Sequence, residues 1–231
     1  PFDGTGGTDV LALNERLDDR SMCVLVGYPN FFGVIEDLAP IKSACARVGA
    51  QLITVTTEPL ALALLKPPGE FAVDVAVGEG QSLGVPMSLG GPAFGFFACQ
   101  KKFMRSMPGR LVGETVDSEG TRGYVLTLAT REQHIRREKA TSNICTSQTL
   151  CVLAATVYLS LLGKSGLRRA AEINLARAHD AKRRLVEQGG LSAVFSAPFF
   201  NEFVLRGENL AERFSRCAKD KIIPGSRLAQ W

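Results

Sequence analysis

Apolar residues recur along the chain with two distinct periods. Cys23-Val24-Leu25-Val26-Gly27 is an unbroken run closed by the turn residues Tyr28-Pro29-Asn30, which reads as a buried strand. Ile35, Leu38, Ile41, Cys45 and Val48 then follow at steps of three and four, so they share one helix face, and Gly49 supplies a C-terminal cap. Leu52 to Val55 reads as a second strand, and Pro59 to Leu65 as a short helix stopped by Pro67-Pro68. Ala72 to Val77 and Gly95 to Cys99 complete a set of four strands. Strands alternating with helices predict an α/β fold with a largely parallel sheet, whose chemistry sits at the loops leaving the strand ends.

From Arg131 onward the pattern turns helical: Arg131 to Glu138, Ser147 to Leu162, and Gly166 to Gln188, the last with Leu167, Ala171, Leu175, Ala178 and Leu185 near one face. Gly189-Gly190 ends that helix, Asn201 to Leu205 resembles a strand, and Asn209 to Cys217 a helix, together suggesting a smaller α/β unit. The apolar run Leu150 to Leu162, interrupted by Thr156 and Ser160, is too short to span a bilayer and is expected to be a buried helix. No charged-then-apolar signal segment opens the chain, which starts at Pro1.

Composition narrows the function classes. At 231 residues and 45% hydrophobic, the chain can bury a core. The 27 Lys and Arg against 23 Asp and Glu leave a mixed charge of +4, which argues against nucleic acid or an anionic membrane as the main partner. Six cysteines are scattered without a CxxC pair, and only His134 and His179 could join them, so no zinc site is expected. Reduced, mostly buried core thiols are expected instead.

Three polar or glycine-rich segments are candidates for chemistry. Gly4-Thr5-Gly6-Gly7-Thr8 lacks a preceding strand and a following Lys-Ser/Thr, and reads as a turn before a helix capped near Thr8. Gly78 to Pro86, followed by Gly90-Gly91-Pro92, could bring backbone close to a ligand or could be a tight loop between strands. Arg131 to Asn143 gathers Arg131, Arg136, Arg137, Lys139 and His134 with Thr141, Ser142 and Asn143, a set suited to a phosphate or carboxylate. A charge-rich helix is ordinarily a solvated face, and Glu132 and Arg136, four apart, could pair locally. His179, in an amphipathic helix, reads as structural.

Several segments together resemble the P-protein family of the glycine cleavage system, specifically the first subunit of its two-subunit form. They are Pro29 to Asp37, Gly78 to Gly84 with Gly90-Gly91-Pro92, Met107 to Thr115, and Arg131 through Thr146. The resemblance implies the fold of type I pyridoxal-phosphate-dependent transferases, a large domain with a mostly parallel sheet and a smaller C-terminal α/β domain. Residues 1–146 would be part of the large domain, and 147–231 the connecting helices and part of the small one. It further implies that the chain is a fragment, inactive alone, since first subunits of this family are roughly twice as long and the match begins well inside them.

The family decarboxylates glycine on pyridoxal phosphate, which serves as electron sink, and passes the aminomethyl group to the lipoyl arm of the H-protein. Holding that cofactor takes a lysine at the end of a strand of the large domain. Here the matching loop reads Gln81-Ser82, so no catalytic lysine is expected and the cofactor is expected on the partner subunit. His134, Arg136, Arg137, Thr141, Ser142 and Asn143 become candidate contributors to the partner's cofactor site. The implied partners are the second P-protein subunit and the lipoyl-bearing H-protein, with no nucleic acid and no membrane, in the cytoplasm. The competing readings are a purely structural assembly module, and a free-standing pyridoxal-phosphate enzyme using Lys101, Lys102 or Lys139.

Overall fold

The structure, a computed structural model, describes residues 1–140, 142 and 147–228. Strands β1 (Cys23–Gly27), β2 (Gln51–Thr56) and β3 (Val75–Glu79) run parallel in that order, and β4 (Gly95–Cys99) pairs antiparallel with β3. The sheet is thus mostly parallel, as expected, with its fourth strand reversed. A parallel return takes a crossover, usually a helix, whereas the connection from Gly80 to Phe94 holds only turns. The third strand starts at Val75 rather than Ala72, because Ala72 takes a left-handed φ of 54° to close the 3-10 turn Pro68–Phe71.

Helix α1 (Val10–Arg16) is capped by the Asp9 carboxylate, which accepts from the Ala12 N–H, one residue later than expected. Helix α2 (Leu38–Val48) is capped the same way by Asp37 and ends at Gly49, whose φ of 77° suits glycine. Ile35 thus lies before the helix, yet it still packs on the core that α2 helps to form. That core joins Leu13 of α1, Leu38, Ile41 and Cys45 of α2, and Val26 and Leu52 of the sheet. Each such side chain contributes about 1.5–3 kcal/mol on full burial.

Beyond the sheet, β5 (Leu111–Val116) and β6 (Arg122–Thr127) form an antiparallel hairpin. Its turn is set by the Asp117 carboxylate, which accepts from the Glu119 and Thr121 N–H groups. The helix expected over Arg131 to Glu138 is broken instead. Only α3 (Gln133–Arg136) is helical, between the 3-10 turns Ala129–Arg131 and Arg137–Lys139, because Glu132 is extended and Arg137 adopts a φ of 52°.

Helix α4 (Thr149–Glu187) joins the two long helices read from the sequence, with a break at Gly163 (φ 60°, ψ −174°). Its second half packs Ala171 and Leu175 against Ala61 and Phe200. The first half is not the buried helix expected. Cys151 and Ala155 are covered, but Leu150 and Leu161 are each 82% exposed, since no described residues lie over that face. By length and composition α4 could cross a membrane. The break leaves its apolar part, Thr149 to Leu162, shorter than the roughly 20 residues a span takes.

Strands β7 (Ser192–Ala193) and β8 (Leu205–Arg206) pair antiparallel, and helix α5 (Leu210–Lys219) follows. The strand expected at Asn201 to Leu205 is displaced because the preceding segment bonds elsewhere. The Ile35 N–H donates to the Pro198 carbonyl and the Phe200 N–H to that of Gly33, tying this segment to the loop after β1. Of the cysteines, Cys23, Cys45, Cys99, Cys151 and Cys217 are free; Cys45 and Cys151 are buried, while the other three are only half-buried, so mostly buried thiols are not what forms. Cys145 lies outside the described residues.

Candidate functional site

The parallel strands β1, β2 and β3 end on the same side of the sheet, and the loops that leave them are bonded to fixed partners. After β1, the Asn30 side-chain Oδ1 accepts from the Phe32 and Val34 N–H groups, and its Nδ2 donates to the Gly6 carbonyl and the Glu36 carboxylate. After β2, Glu58 Oε1 accepts from the Leu60 N–H at 2.9 Å and from the Ser82 hydroxyl at 2.7 Å. After β3, Glu79 accepts from the N–H groups of Gly80 and Gln81. Glu202 lies close enough to matter: partial desolvation, then the charge of Glu58, pushes its carboxyl pKa up.

The glycines from Gly78 to Gly84 are close to backbone and ring, whereas a Cβ on Gly90 would meet nothing. A Cβ on Gly78 would fall 2.3 Å from Phe96 Cζ and 2.4 Å from the Thr56 carbonyl oxygen. Phe94 backs Gly80 in the same way, and the Tyr158 ring backs Gly84. Gly78 to Gly84 thus forms a packed loop between β3 and β4.

The lysines that could have served a cofactor lie elsewhere. Because β4 runs back along β3, Lys101 and Lys102 sit beside the start of β3, a strand length or about 17 Å from the Gln81-Ser82 end. Lys102 Nζ is 2.7 Å from Asp74 Oδ1, and Lys42 donates to the other carboxylate oxygen, which also accepts from the Leu52 N–H at 3.0 Å. Asp74 is 2% exposed. Burial alone would raise its pKa, but the hydrogen bonds from Lys102, Lys42 and Leu52 bring it down to about 2. This cluster, which the sequence reading missed, carries the signal of a carboxylate inside an apolar run, a group that needs cationic partners when buried.

The cationic segment is placed at the surface. His134 and Arg136 on α3, and Arg137 just after it, are exposed, while Ser142 is half-buried. Thr141 and Asn143, the other two candidates, lie outside the described residues. Arg131 turns inward and donates to the Gly109 carbonyl at 2.6 Å, with its Nε buried and without a partner. Among the described residues no carboxylate lies within ion-pair distance of Arg131, His134, Arg136 or Arg137, so the expected Glu132–Arg136 pairing does not form. His179, expected to be structural, stacks its ring on Phe199 with centroids 4.0 Å apart.

A mixed sheet followed by a long helix and a small α/β unit is the architecture of type I pyridoxal-phosphate enzymes. An Escherichia coli cysteine desulfurase superposes with a TM-score of 0.63 over 96% of this chain and 53% of its own, at 16% identity, which shows the shared fold. The likeness to a crystal structure of inhibitor-bound glycine decarboxylase (P-protein) of the glycine cleavage system is far closer: TM-score 0.83 and 42% identity over 97% of this chain and 50% of that one. The family model of the glycine cleavage system P-protein matches residues 8–223. The chain belongs to that family.

Among named relatives, the probable glycine dehydrogenase (decarboxylating) subunit 1 of Anaeromyxobacter dehalogenans is 51% identical over all of this chain and 52% of its own length. That of Sphingopyxis alaskensis is 55% identical over 97% of this chain and 50% of its length. The chain thus spans about half the length of the relatives it matches. Pyridoxal phosphate, the group this fold implies, is held through a lysine imine. Gln81 and Ser82 cannot form one, Ser82 is already bonded to Glu58, and the glycines beside them are filled by aromatic rings. The residues at these strand ends do not fit a covalently held cofactor.

Proposed function

We propose that the chain serves a two-subunit glycine decarboxylase as the subunit that holds no cofactor of its own, with pyridoxal phosphate on the partner. The complex would decarboxylate glycine and pass the aminomethyl group to the lipoyl arm of the H-protein, in the cytoplasm. Residues 1–146 would belong to the large domain and 147–231 to the connecting helices and small domain. The relatives named as a first subunit support the existence of a second.

The observation that carries the reading is the set of exposed cations His134, Arg136 and Arg137, which no carboxylate among the described residues neutralises. A solvated helix face ordinarily pairs such charges along its own surface. Unpaired guanidinium forks instead suit anions brought by another molecule, and both a glycine carboxylate and a phosphate qualify. Shielded from water between subunits, each fork binds and orients an anion more strongly than it could in solvent. Thr141, Ser142 and Asn143, next along the sequence, would add hydroxyl and amide donors to the same site.

The test is Arg136→Ala and His134→Ala in a complete first subunit mixed with its second subunit. Complex formation should persist while glycine decarboxylation falls by about tenfold or more, the effect of losing one charge-assisted contact in the transition state. Unchanged turnover in both variants would refute the role. Loss of assembly instead would mark the segment as a structural interface.

A further inference from the structure

The turn that carries His134 and Arg136 is strained at both ends. Leu128 and Arg137 take φ values of 53° and 52°, in the region that ordinarily takes glycine. That conformation costs a bulky residue free energy and persists only where the surroundings hold it. Between these two residues lie a 3-10 turn, the extended Glu132 and the single helical turn of α3. Left free, the segment would relax and its cations would lose their places.

Arg131 supplies a hold. Its Nη2 donates to the Gly109 carbonyl at 2.6 Å, joining residues 22 apart in the chain. Gly109 lies just before β5 and Arg131 just after β6, so this bond continues outward from the Leu111–Thr127 pair at the base of the hairpin. There the Thr127 hydroxyl also donates to the Leu111 carbonyl. The side chain is held inward at a cost. Its Nε is buried without an acceptor, and among the described residues no carboxylate lies within ion-pair distance of it. A guanidinium turned out to water would incur neither penalty.

We infer that Arg131 is a positioning residue: by clasping the turn to the base of the β5–β6 hairpin, it fixes where His134 and Arg136 present their charge, without itself touching the anion. This inference rests on the anion-binding role proposed for those two residues. A contact that orients a reacting group loses most of its effect when it is displaced, so removing the clasp acts on turnover through the cations it holds.

The experiment uses a complete first subunit assembled with its second subunit. Arg131→Met keeps the apolar stem and removes the donors, whereas Arg131→Lys restores a donor for a carbonyl. In wild type the amides of Glu132, Ile135 and Arg136 are bonded to the carbonyls of Ala129 and Glu132. In Arg131→Met these amides should exchange hydrogen about tenfold faster, and glycine decarboxylation should fall by about tenfold while the complex persists. Arg131→Lys should recover most of that turnover. Adding Arg136→Ala to Arg131→Met should lower turnover no further than the worse single variant, the mark of one residue acting through another. Unchanged exchange, normal turnover or loss of assembly in Arg131→Met, no recovery in Arg131→Lys, or full additivity with Arg136→Ala would each overturn the inference. The anion-binding role itself falls when His134→Ala and Arg136→Ala leave turnover unchanged, whereas the clasp alone falls when they lower it and Arg131→Met does not.

Discussion

Replacing Asp74 with asparagine removes one buried charge and almost no volume, so its cost isolates the electrostatics of the lysine pair. The carboxylate accepts from Lys42, Lys102 and the Leu52 N–H while itself 2% exposed. Lowering from the ordinary 3.8 to about 2 corresponds to about 2 kcal/mol of stability at neutral pH. The Lys42 side chain is 24% exposed and that of Lys102 58%, so Lys42 should supply most of it and Lys102→Ala should cost under about 1 kcal/mol. Because the folded value lies below the unfolded one, the stabilisation is complete above pH 5 or so and is lost as the pH falls through about 2. Urea unfolding of wild type and Asp74→Asn should therefore differ by roughly 2–3 kcal/mol at pH 7 and by about half as much at pH 3. A difference below about 0.5 kcal/mol at pH 7, or one equal at both pH values, would refute the assignment.

Gly78→Ala should destabilise the chain by about 1–3 kcal/mol in the same assay, because the new Cβ meets the Thr56 carbonyl and the Phe96 ring; an unchanged midpoint would show that the loop yields. In a thiol titration all six cysteines should react after unfolding without reductant, and fewer would reveal a disulfide. In the native chain Cys45 and Cys151 should lag: both are buried, and burial pushes the Cys45 thiol pKa up, with Lys42 opposing only in part.

The parallel half of the sheet was legible in the sequence because its strands are short apolar runs and the helix between the first two repeats apolar residues at steps of three and four up to Gly49. Hydrophobic period says nothing about strand direction, so the reversal of β4 was not legible; the helix-free stretch from Gly80 to Phe94 is what decides it. The hairpin of β5 and β6 escaped for a related reason: with nearly every side chain exposed, its strands show no alternation between a core and a solvent face. Period also cannot say which apolar residues find a partner, so α4 reads as buried although much of its first half is bare. At the candidate site, Gln81-Ser82 could be read in the sequence at the place where the family resemblance implies a lysine. The bond from Ser82 to Glu58 and the rings behind Gly78 and Gly80 could not, since they join residues distant in sequence.

Reductive trapping is the most direct test of a subunit without its own cofactor. The assembled two-subunit complex is incubated with pyridoxal phosphate, treated with borohydride, digested and mapped by mass spectrometry. A stoichiometric label should appear on a lysine of the second subunit and none on this chain, whose strand-end loop offers Gln81 and Ser82 and whose Lys102 is held by Asp74. A stoichiometric label on Lys101, Lys102 or Lys139 would contradict it and make this chain a cofactor-bearing enzyme in its own right.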